Sequence, residues 1–445
     1  MTGQYSRLRP RPEAEVAAVA RARPDRPAVT VVGIGADGWP GLAAAARDAL
    51  REAQVLIGGE RQLALLPRGC AGERVAWPSP LRPAVSRLLA EYEGRRVCVL
   101  ASGDPMFYGI GRLLAEVAGA ERLSVLPHPS SVSYACARLG WTVEETEVVT
   151  LVGRPASGLN AALYDRRRVL VLSAGAATPA EVAGLVRERG FGPTRMRVLE
   201  QLGGEGERQV EGIAEEWAHP PGDPLNVIAL ECRRTEGAPR LSLVPGLPDS
   251  AYEHDGQLTK RHVRAATLAA LAPAPGELLW DVGGGSGSVA VEWMRAHRDC
   301  RAVSVERDPV RAERIARNAD ALGVPSLRVV RGEAPAALGE LPAPDAVFVG
   351  GGVTVPGVLE RCWEALAGGG RLVANAVTLE SEALLGEWHR RHGGELFRLA
   401  VAQAAPVGGF TGWRQAMPVT QWAVARTGPG GPSAGTNDAA SGEPE

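Results

Sequence analysis

Leu278-Leu-Trp-Asp-Val-Gly-Gly-Gly-Ser-Gly-Ser-Val-Ala-Val291 sets a short apolar run before an acid, a glycine-rich turn and a second apolar run of helical length. The pattern reads as strand, loop, helix. Glycines at Gly283, Gly285 and Gly287, with Gly284 and Ser286 between them, let the backbone turn tightly and approach a ligand without a Cβ in the way. The helix that follows presents unpaired N–H groups at its start. A loop of this kind holds a nucleotide-like molecule.

The neighbouring residues narrow the choice of ligand. A dinucleotide loop spaced G-x-G-x-x-G calls for a third glycine at position 288, where Ser288 stands. Asp281, ahead of the first glycine, would repel a pyrophosphate but suits a ligand that carries an ammonium and a sulfonium, which is S-adenosylmethionine. Downstream, Arg301-Ala-Val-Ser-Val-Glu306 reads as a strand whose terminal acid can accept both ribose hydroxyls. Leu327-Arg-Val-Val-Arg-Gly-Glu333-Ala334 follows, with Glu333 and Ala334 expected beside the adenine. Asp345-Ala-Val-Phe-Val-Gly-Gly-Gly352 then opens into glycines where a methyl donor would meet its acceptor.

A chain of 445 residues exceeds one ordinary core and implies two or three domains. Its 45% hydrophobic and 22% charged residues are globular values. A net charge of −2 argues against a general nucleic-acid or membrane-surface binder and leaves a small molecule as the expected partner. The six cysteines form no C-x-x-C pair, so neither a zinc site nor a disulfide framework is expected and no metal site is assigned. No apolar run reaches the roughly 18 to 20 residues of a membrane span, and residues 1–27 hold no signal-like apolar segment. A cytoplasmic protein is expected, and a homo-oligomer. Among 49 basic residues only Lys260 is a lysine. A compact ammonium that guanidinium cannot replace would explain its survival, and chance would explain it equally well.

The N-terminal half carries a second loop. Ala28-Val-Thr-Val-Val32 reads as a buried strand, and Gly33-Ile-Gly35-Ala-Asp-Gly38 after it matches G-x-G-x-x-G. Trp39-Pro40 intervenes, and a proline belongs in a helix's first turn, so the helix should start near Pro40 rather than inside the motif. Glu60 nevertheless stands where a ribose-binding acid of an NAD site would be, so that alternative remains. Val97-Cys-Val-Leu-Ala-Ser-Gly103-Asp104-Pro105 runs from a strand into a sharp polar turn, and Pro127-His-Pro-Ser130-Ser131 opens a helix. Over residues 28 to 236 these features resemble the tetrapyrrole methyltransferase family. The resemblance implies a two-lobed α/β domain that holds S-adenosylmethionine with Gly33 and Gly35, with Gly103, Asp104 and Pro105, and with Ser130 and Ser131. Ala36 departs from the pattern, where proline is expected.

Residues 237 to 256 mix Pro, Gly and Asp and read as a linker, 257 to 425 as strand and helix alternation, and 1–27 and 426–445 as disordered tails. A tetrapyrrole-methylase domain followed by a Rossmann-like class I methyltransferase domain, all α/β, resembles the fused precorrin-6Y methyltransferases (decarboxylating) of cobalamin synthesis. That resemblance implies two cofactor molecules, one per half. It also implies a polycarboxylate tetrapyrrole substrate methylated at carbons 5 and 15, with loss of carbon dioxide from the ring C acetate.

Few groups are expected to act chemically, because methyl transfer to an electron-rich carbon needs alignment more than acid or base. Asp104 is expected to cap its turn, and Ser130 and Ser131 to cap a helix while meeting the cofactor. His128, next to the Ser130-Ser131 turn, is an open candidate but is expected in a solvated loop, and His389 and His392 on an exposed helix face. Lys260 and Arg264 are the candidates for clamping substrate carboxylates at a cleft rim, Thr259 for a cofactor contact, and Asn375 for a polar group near the acceptor. Two other readings stand beside this one: an NAD-linked oxidoreductase using Gly33 to Gly38, and a non-catalytic regulator that senses S-adenosylmethionine.

Overall fold

The computed structural model describes residues 29–426. The tails expected at 1–27 and 426–445 lie outside that range except for Arg426. The chain divides into two compact units. Unit 1 comprises residues up to Val152 together with Arg166–Ala183 and Thr194–Glu231; unit 2 comprises Gly153–Asp165, Gly184–Pro193 and everything from Cys232.

Unit 1 holds two five-stranded sheets. In the first, β1 (Val29–Ile34), β2 (Val55–Gly58), β3 (Glu73–Ala76), β4 (Val97–Ser102) and β5 (Leu123–Leu126) lie in the order β3-β2-β4-β1-β5. All are parallel. Strands β1, β2 and β4 are Val/Leu/Ile-rich and buried along nearly their whole length, as parallel strands covered on both faces must be. The helices α1 (Ala44–Glu52), α2 (Glu60–Ala64), α3 (Leu81–Glu91) and α4 (Gly111–Ala118) fall between the strands. After β1 a single helical turn, Gly38–Gly41, contains Pro40, and the first full helix begins only at Ala44. The second sheet follows α5 (Ser131–Leu139). Its strands are β6 (Glu147–Thr150), β7 (Arg168–Leu172), β8 (Arg195–Glu200), β9 (Arg208–Ile213) and β10 (Asn226–Glu231), in the order β6-β7-β10-β8-β9. Helix α6 (Thr178–Glu188) lies between β7 and β8.

Unit 2 is built on seven strands: β11 (Leu278–Val282), β12 (Arg301–Glu306), β13 (Arg328–Arg331), β14 (Ala346–Val349), β15 (Arg371–Ala376), β16 (Glu395–Leu399) and β19 (Val419–Ala425). Their order is β13-β12-β11-β14-β15-β19-β16. Strand order reverses between β11 and β14, and in open α/β sheets ligands bind outside the carboxyl ends of the strands at such a point. Helices α7 (Arg261–Leu271), α8 (Ser288–Ala296), α9 (Pro309–Ala321), α10 (Val358–Ala365) and α11 (Leu379–His392) accompany them. The expected alternation of strand and helix stops at α11. β17 (Ala402–Val407) and β18 (Phe410–Gln415) pair only with each other, and β19 returns antiparallel between β15 and β16. Among the described residues no helix is long and apolar enough to cross a membrane. The six cysteines are free and buried.

The stretch expected as a linker, 237 to 256, is not bare. Leu247 and Tyr252 are buried in a core cluster of unit 2 with Leu268, Leu279 and Trp293. They are held by Glu292, a carboxylate inside α8 that accepts from the Leu247 N–H at 3.0 Å and the Tyr252 hydroxyl at 2.9 Å. Arg264 completes this centre and is fully buried, so the expectation that it clamps substrate at a rim is corrected. Its Nε donates to Glu292 at 2.6 Å, and its other nitrogens reach the carbonyls of Thr259 and Leu247 and the Asp249 carboxylate. A run that begins Leu-Thr-Lys-Arg-His-Val-Arg invites a surface reading, but helical spacing puts Arg264 on the inward face with Leu268 and Leu271. Arg264→Ala would leave Glu292 charged and buried without its partner, a loss of about 3 to 5 kcal/mol. Denaturant unfolding followed by circular dichroism should show an earlier transition; an unchanged profile would contradict this role.

Candidate active sites

In unit 1 a cavity of about 490 Å³ opens at the carboxyl ends of the first sheet. Gly35, Gly103, Asp104, Ser130 and Ser131 all line it, so three separate sequence stretches converge there. Gly33 and Pro105 are not in the lining, but Gly33 shapes it. A Cβ on Gly33 would overlap the Gly103 carbonyl and come within 2.7 Å of the His128 N–H. Only a bare Cα at the end of β1 allows the loops after β1, β4 and β5 to meet. Asp104 Oδ1 accepts from the Met106 N–H at 2.9 Å, the turn-capping role expected of it. Ser130 caps α5, its Oγ accepting from Ser133 N–H at 3.1 Å.

His128 is not solvated, contrary to expectation. It is 7% exposed, with Nε2 3.2 Å from Asp37 Oδ1 and 3.4 Å from the Tyr134 hydroxyl. Backbone packing against Gly33 and Gly103 draws this loop inward, which the flanking prolines in the sequence did not signal. Glu60, the acid that kept the NAD reading open, is exposed at the start of α2 and does not line the cavity, whereas its neighbours Gly59, Arg61 and Gln62 do.

In unit 2 the loop Gly283 to Gly287 lies at the carboxyl end of β11, beside the Gly350–Gly352 turn that ends β14. The Gly283 and Gly284 N–H groups donate to the Val305 carbonyl at 3.0 and 3.2 Å. A Cβ on Gly284 would overlap the Ser304 hydroxyl, and one on Gly283 would stand 2.9 Å from the Gly351 backbone. Gly283, Gly285 and Gly287 have positive φ, and Gly285 faces the Gln257 carbonyl just ahead of Thr259. Ser286 is buried, and its hydroxyl is without a hydrogen-bond partner.

Glu306, at the end of β12, is buried and already engaged. Its Oε2 accepts from the Gly285 N–H at 2.8 Å and its Oε1 from the Asp308 N–H at 2.9 Å. Each oxygen retains a lone pair for a hydroxyl, so loop support and ribose recognition are compatible. Asp281 is paired across β11 and β12 with Ser304, whose hydroxyl donates to it at 3.2 Å. Burial pushes its carboxyl up to about 7, against the opposing pull of Ser304. Glu333 is exposed and reaches Arg307 at 3.3 Å; Ala334 is half-buried after β13.

The remaining candidates separate. Lys260 is exposed at the N-cap of α7, with no side-chain capping bond. Asn375 is occupied by structure: its Nδ2 donates to Thr267 Oγ1 at 3.0 Å and its Oδ1 accepts from Gln421 at 2.7 Å. This corrects its reading as a free polar group beside the acceptor; the antiparallel return of β19, which opposes Gln421 to Asn375, was not legible in the sequence. His392 is stacked against Trp388, with ring centroids 4.8 Å apart, and is half-buried rather than exposed. The residues that remain at the two loops fit an adenosyl ligand: a glycine-lined cavity in unit 1, and in unit 2 a turn ringed by Glu306, Asp281 and an unpartnered serine.

Comparison with known proteins places both halves of the chain among methyltransferases. The family model for tetrapyrrole (corrin/porphyrin) methylases matches residues 28–218, and that for a precorrin methyltransferase domain matches 250–426. A precorrin-6Y C(5,15)-methyltransferase [decarboxylating] from Sinorhizobium sp is 50% identical over 396 residues, 89% of this chain and 96% of that protein. Two shorter relatives match part of the chain. A cobalt-precorrin-7 C(5)-methyltransferase from Salmonella typhimurium is 34% identical over 180 residues, 40% of this chain and 88% of its own. A probable cobalt-precorrin-6B C(15)-methyltransferase (decarboxylating) from Saccharolobus solfataricus is 32% identical over 145 residues, 31% of this chain and 73% of its own. Neither the oxidoreductase nor the regulator reading is favoured by these relatives.

Asp281 yields a test by pH. Its folded value lies above the usual 3.8 of an aspartate, so its contribution to stability is whole below about pH 4 and is lost as pH rises through about 7. Asp281→Asn keeps the acceptor for Ser304 and removes the charge. Without ligand, the wild-type chain should lose stability relative to this variant between about pH 4 and pH 8, read by denaturant titration; parallel profiles would contradict the burial argument. With both glycine loops placed and relatives matched across both halves, the chain belongs to the precorrin-6Y C(5,15)-methyltransferase (decarboxylating) family.

Proposed function

We propose that this chain is a C-methyltransferase that methylates a precorrin at carbons 5 and 15 and removes the ring C acetate carboxyl as carbon dioxide, with one cofactor site in each half. The observation that carries the proposal is the 50% identity to a relative of that name over 89% of the chain. The functional halves are set at 28 to 236 for carbon 5 and 257 to 425 for carbon 15 and decarboxylation. Relatives named for each single methylation support that division.

S-adenosylmethionine supplies a methyl group on a positively charged sulfur. In unit 1, Gly35, Gly103, Asp104, Ser130 and Ser131 would hold it, with Gly33 and Pro105 shaping the loops. In unit 2 the backbone of Gly283 to Gly287 and the side chain of Glu306 would hold it, joined by Thr259, Glu333 and Ala334. Asp281 beneath that loop favours a cationic ligand, and a nearby positive charge would draw its raised carboxyl back toward the ionised form. Among the described residues neither site forms a relay from nucleophile through base to orienting acid: in unit 1 His128 meets both Asp37 and the Tyr134 hydroxyl through the same ring nitrogen. Alignment of donor and acceptor is therefore the main contribution of the protein, and the conjugated macrocycle takes up the electrons that decarboxylation releases.

Incubating the chain with metal-free and cobalt-loaded precorrin and S-adenosylmethionine tests the reading. The product should gain two methyl groups and lose one carbon dioxide; an unmodified macrocycle would overturn it. Lys260 gives a sharper test within the second half, because its ammonium is exposed immediately ahead of α7 and near the glycine loop in sequence. Lys260→Ala should slow carbon dioxide release and carbon 15 methylation while leaving carbon 5 methylation unchanged, and Lys260→Arg should restore only part of the activity. Carbon dioxide release by the Ala variant at the wild-type rate would leave Lys260 as an exposed residue that merely starts α7.

A further inference from the structure

We propose that Arg61 is the carboxylate-binding residue of the unit 1 cavity and engages an acidic side chain of the tetrapyrrole acceptor, an assignment that rests on the methyltransferase reading above. Arg61 lies in the first turn of α2, directly after β2, and lines the cavity. Its guanidinium donates through Nη2 to Ser102 Oγ at 2.9 Å, a neutral acceptor, and among the described residues no carboxylate pairs with it. Gln62 Nε2 donates to the same oxygen at 2.7 Å, so both side chains are anchored at the end of β4.

A guanidinium has five donors in a planar fork suited to bidentate binding of a carboxylate. Here the remaining donors have no partner among the described residues. Burial lowers the pKa of Arg61, opposed by the more distant charge of Asp223. The Asp223 carboxylate is itself taken up by the Gln201 side chain at 2.9 Å and the Leu225 N–H at 2.7 Å. A partly desolvated cation without a counter-ion is costly, and a ligand carboxylate would offset that cost.

Position separates the acceptor from the cofactor. The residues expected to hold the cofactor follow β1, β4 and β5. In the order β3-β2-β4-β1-β5, Arg61 and Gln62 follow β2, and Trp77 and Leu81 follow β3, on the opposite flank of β4. All four line the cavity, so that flank offers a charged fork beside an apolar wall. This combination matches a flat conjugated ring fringed with carboxylates.

The test uses the full chain with Arg61→Ala, Arg61→Lys and Arg61→Gln, the last keeping a donor for Ser102 should the Ala variant fold poorly. Three quantities are read: KM and kcat for carbon 5 methylation, the affinity for S-adenosylhomocysteine by calorimetry, and binding of an octacarboxylic porphyrin by absorbance. The Ala and Gln variants should raise KM and weaken porphyrin binding about tenfold or more, as expected for a lost charge-assisted contact. Affinity for S-adenosylhomocysteine and carbon dioxide release should stay at wild-type values, and Lys should recover part of the loss. Unchanged KM and unchanged porphyrin binding would overturn the assignment. So would a loss confined to S-adenosylhomocysteine, which would place the carboxylate of the cofactor there instead. Porphyrin binding that depends on Arg61 in a chain whose wild-type form shows no methyl transfer would uphold the carboxylate site and overturn the methyltransferase reading.

Discussion

Backbone against backbone, with no side chain between, is the constraint on which both sites depend. In unit 1 the bare Cα of Gly33 lets the turn after β4 and the loop before α5 close on the end of β1. In unit 2 Gly283 does the same for the turn after β14, while Gly284 leaves room for the Ser304 hydroxyl of β12. The two sheets differ in strand order, yet each brings strand ends together through glycines whose absent Cβ faces protein. The loops are glycine-rich because their own supports press on them. Open backbone for a ligand is a consequence of that packing.

Buried charge plays a second organising part in unit 2. Glu292 and Arg264 tie the segment before α7 to α8, so the approach to the glycine loop is fixed by an ion pair with further hydrogen bonds at both ends. Such a pair adds little net stability relative to apolar residues of equal size, but breaking it is costly. It gives the chain one way to lay Thr259 and Lys260 ahead of α7. Asp281 is handled differently: burial raises its carboxyl to about 7, and only the Ser304 hydroxyl pulls against that shift from a side chain.

Local sequence carried the fold where apolar runs met glycine turns. β1, β4, β11, β12 and β14 could be read from Val/Leu/Ile runs ending in Gly or an acid, because a buried parallel strand needs that composition. The return of β19 between β15 and β16 could not, since antiparallel insertion is decided by pairing partners distant in sequence. The same holds for the site. That Gly35, Gly103, Asp104, Ser130 and Ser131 meet at one cavity was legible through the family resemblance their turns carry. Arg61 and Tyr134 were not, and His128 was noticed but expected in solvent, because only the meeting of strand ends places them at the cavity or buries them beside its loop. Arg264 misled because a charged residue near a helix start looks exposed until its inward register is known. Asn375 misled because its partner Gln421 is supplied by that unforeseen strand.

The most direct test of the account is the number of ligand molecules one chain binds. Calorimetric titration of the full chain with S-adenosylhomocysteine should give two sites, and Glu306→Ala should weaken one of them by roughly 1.5 to 3 kcal/mol while sparing the other. A single site in the wild-type chain, or two sites that both survive Glu306→Ala, would contradict the claim that each half holds its own cofactor.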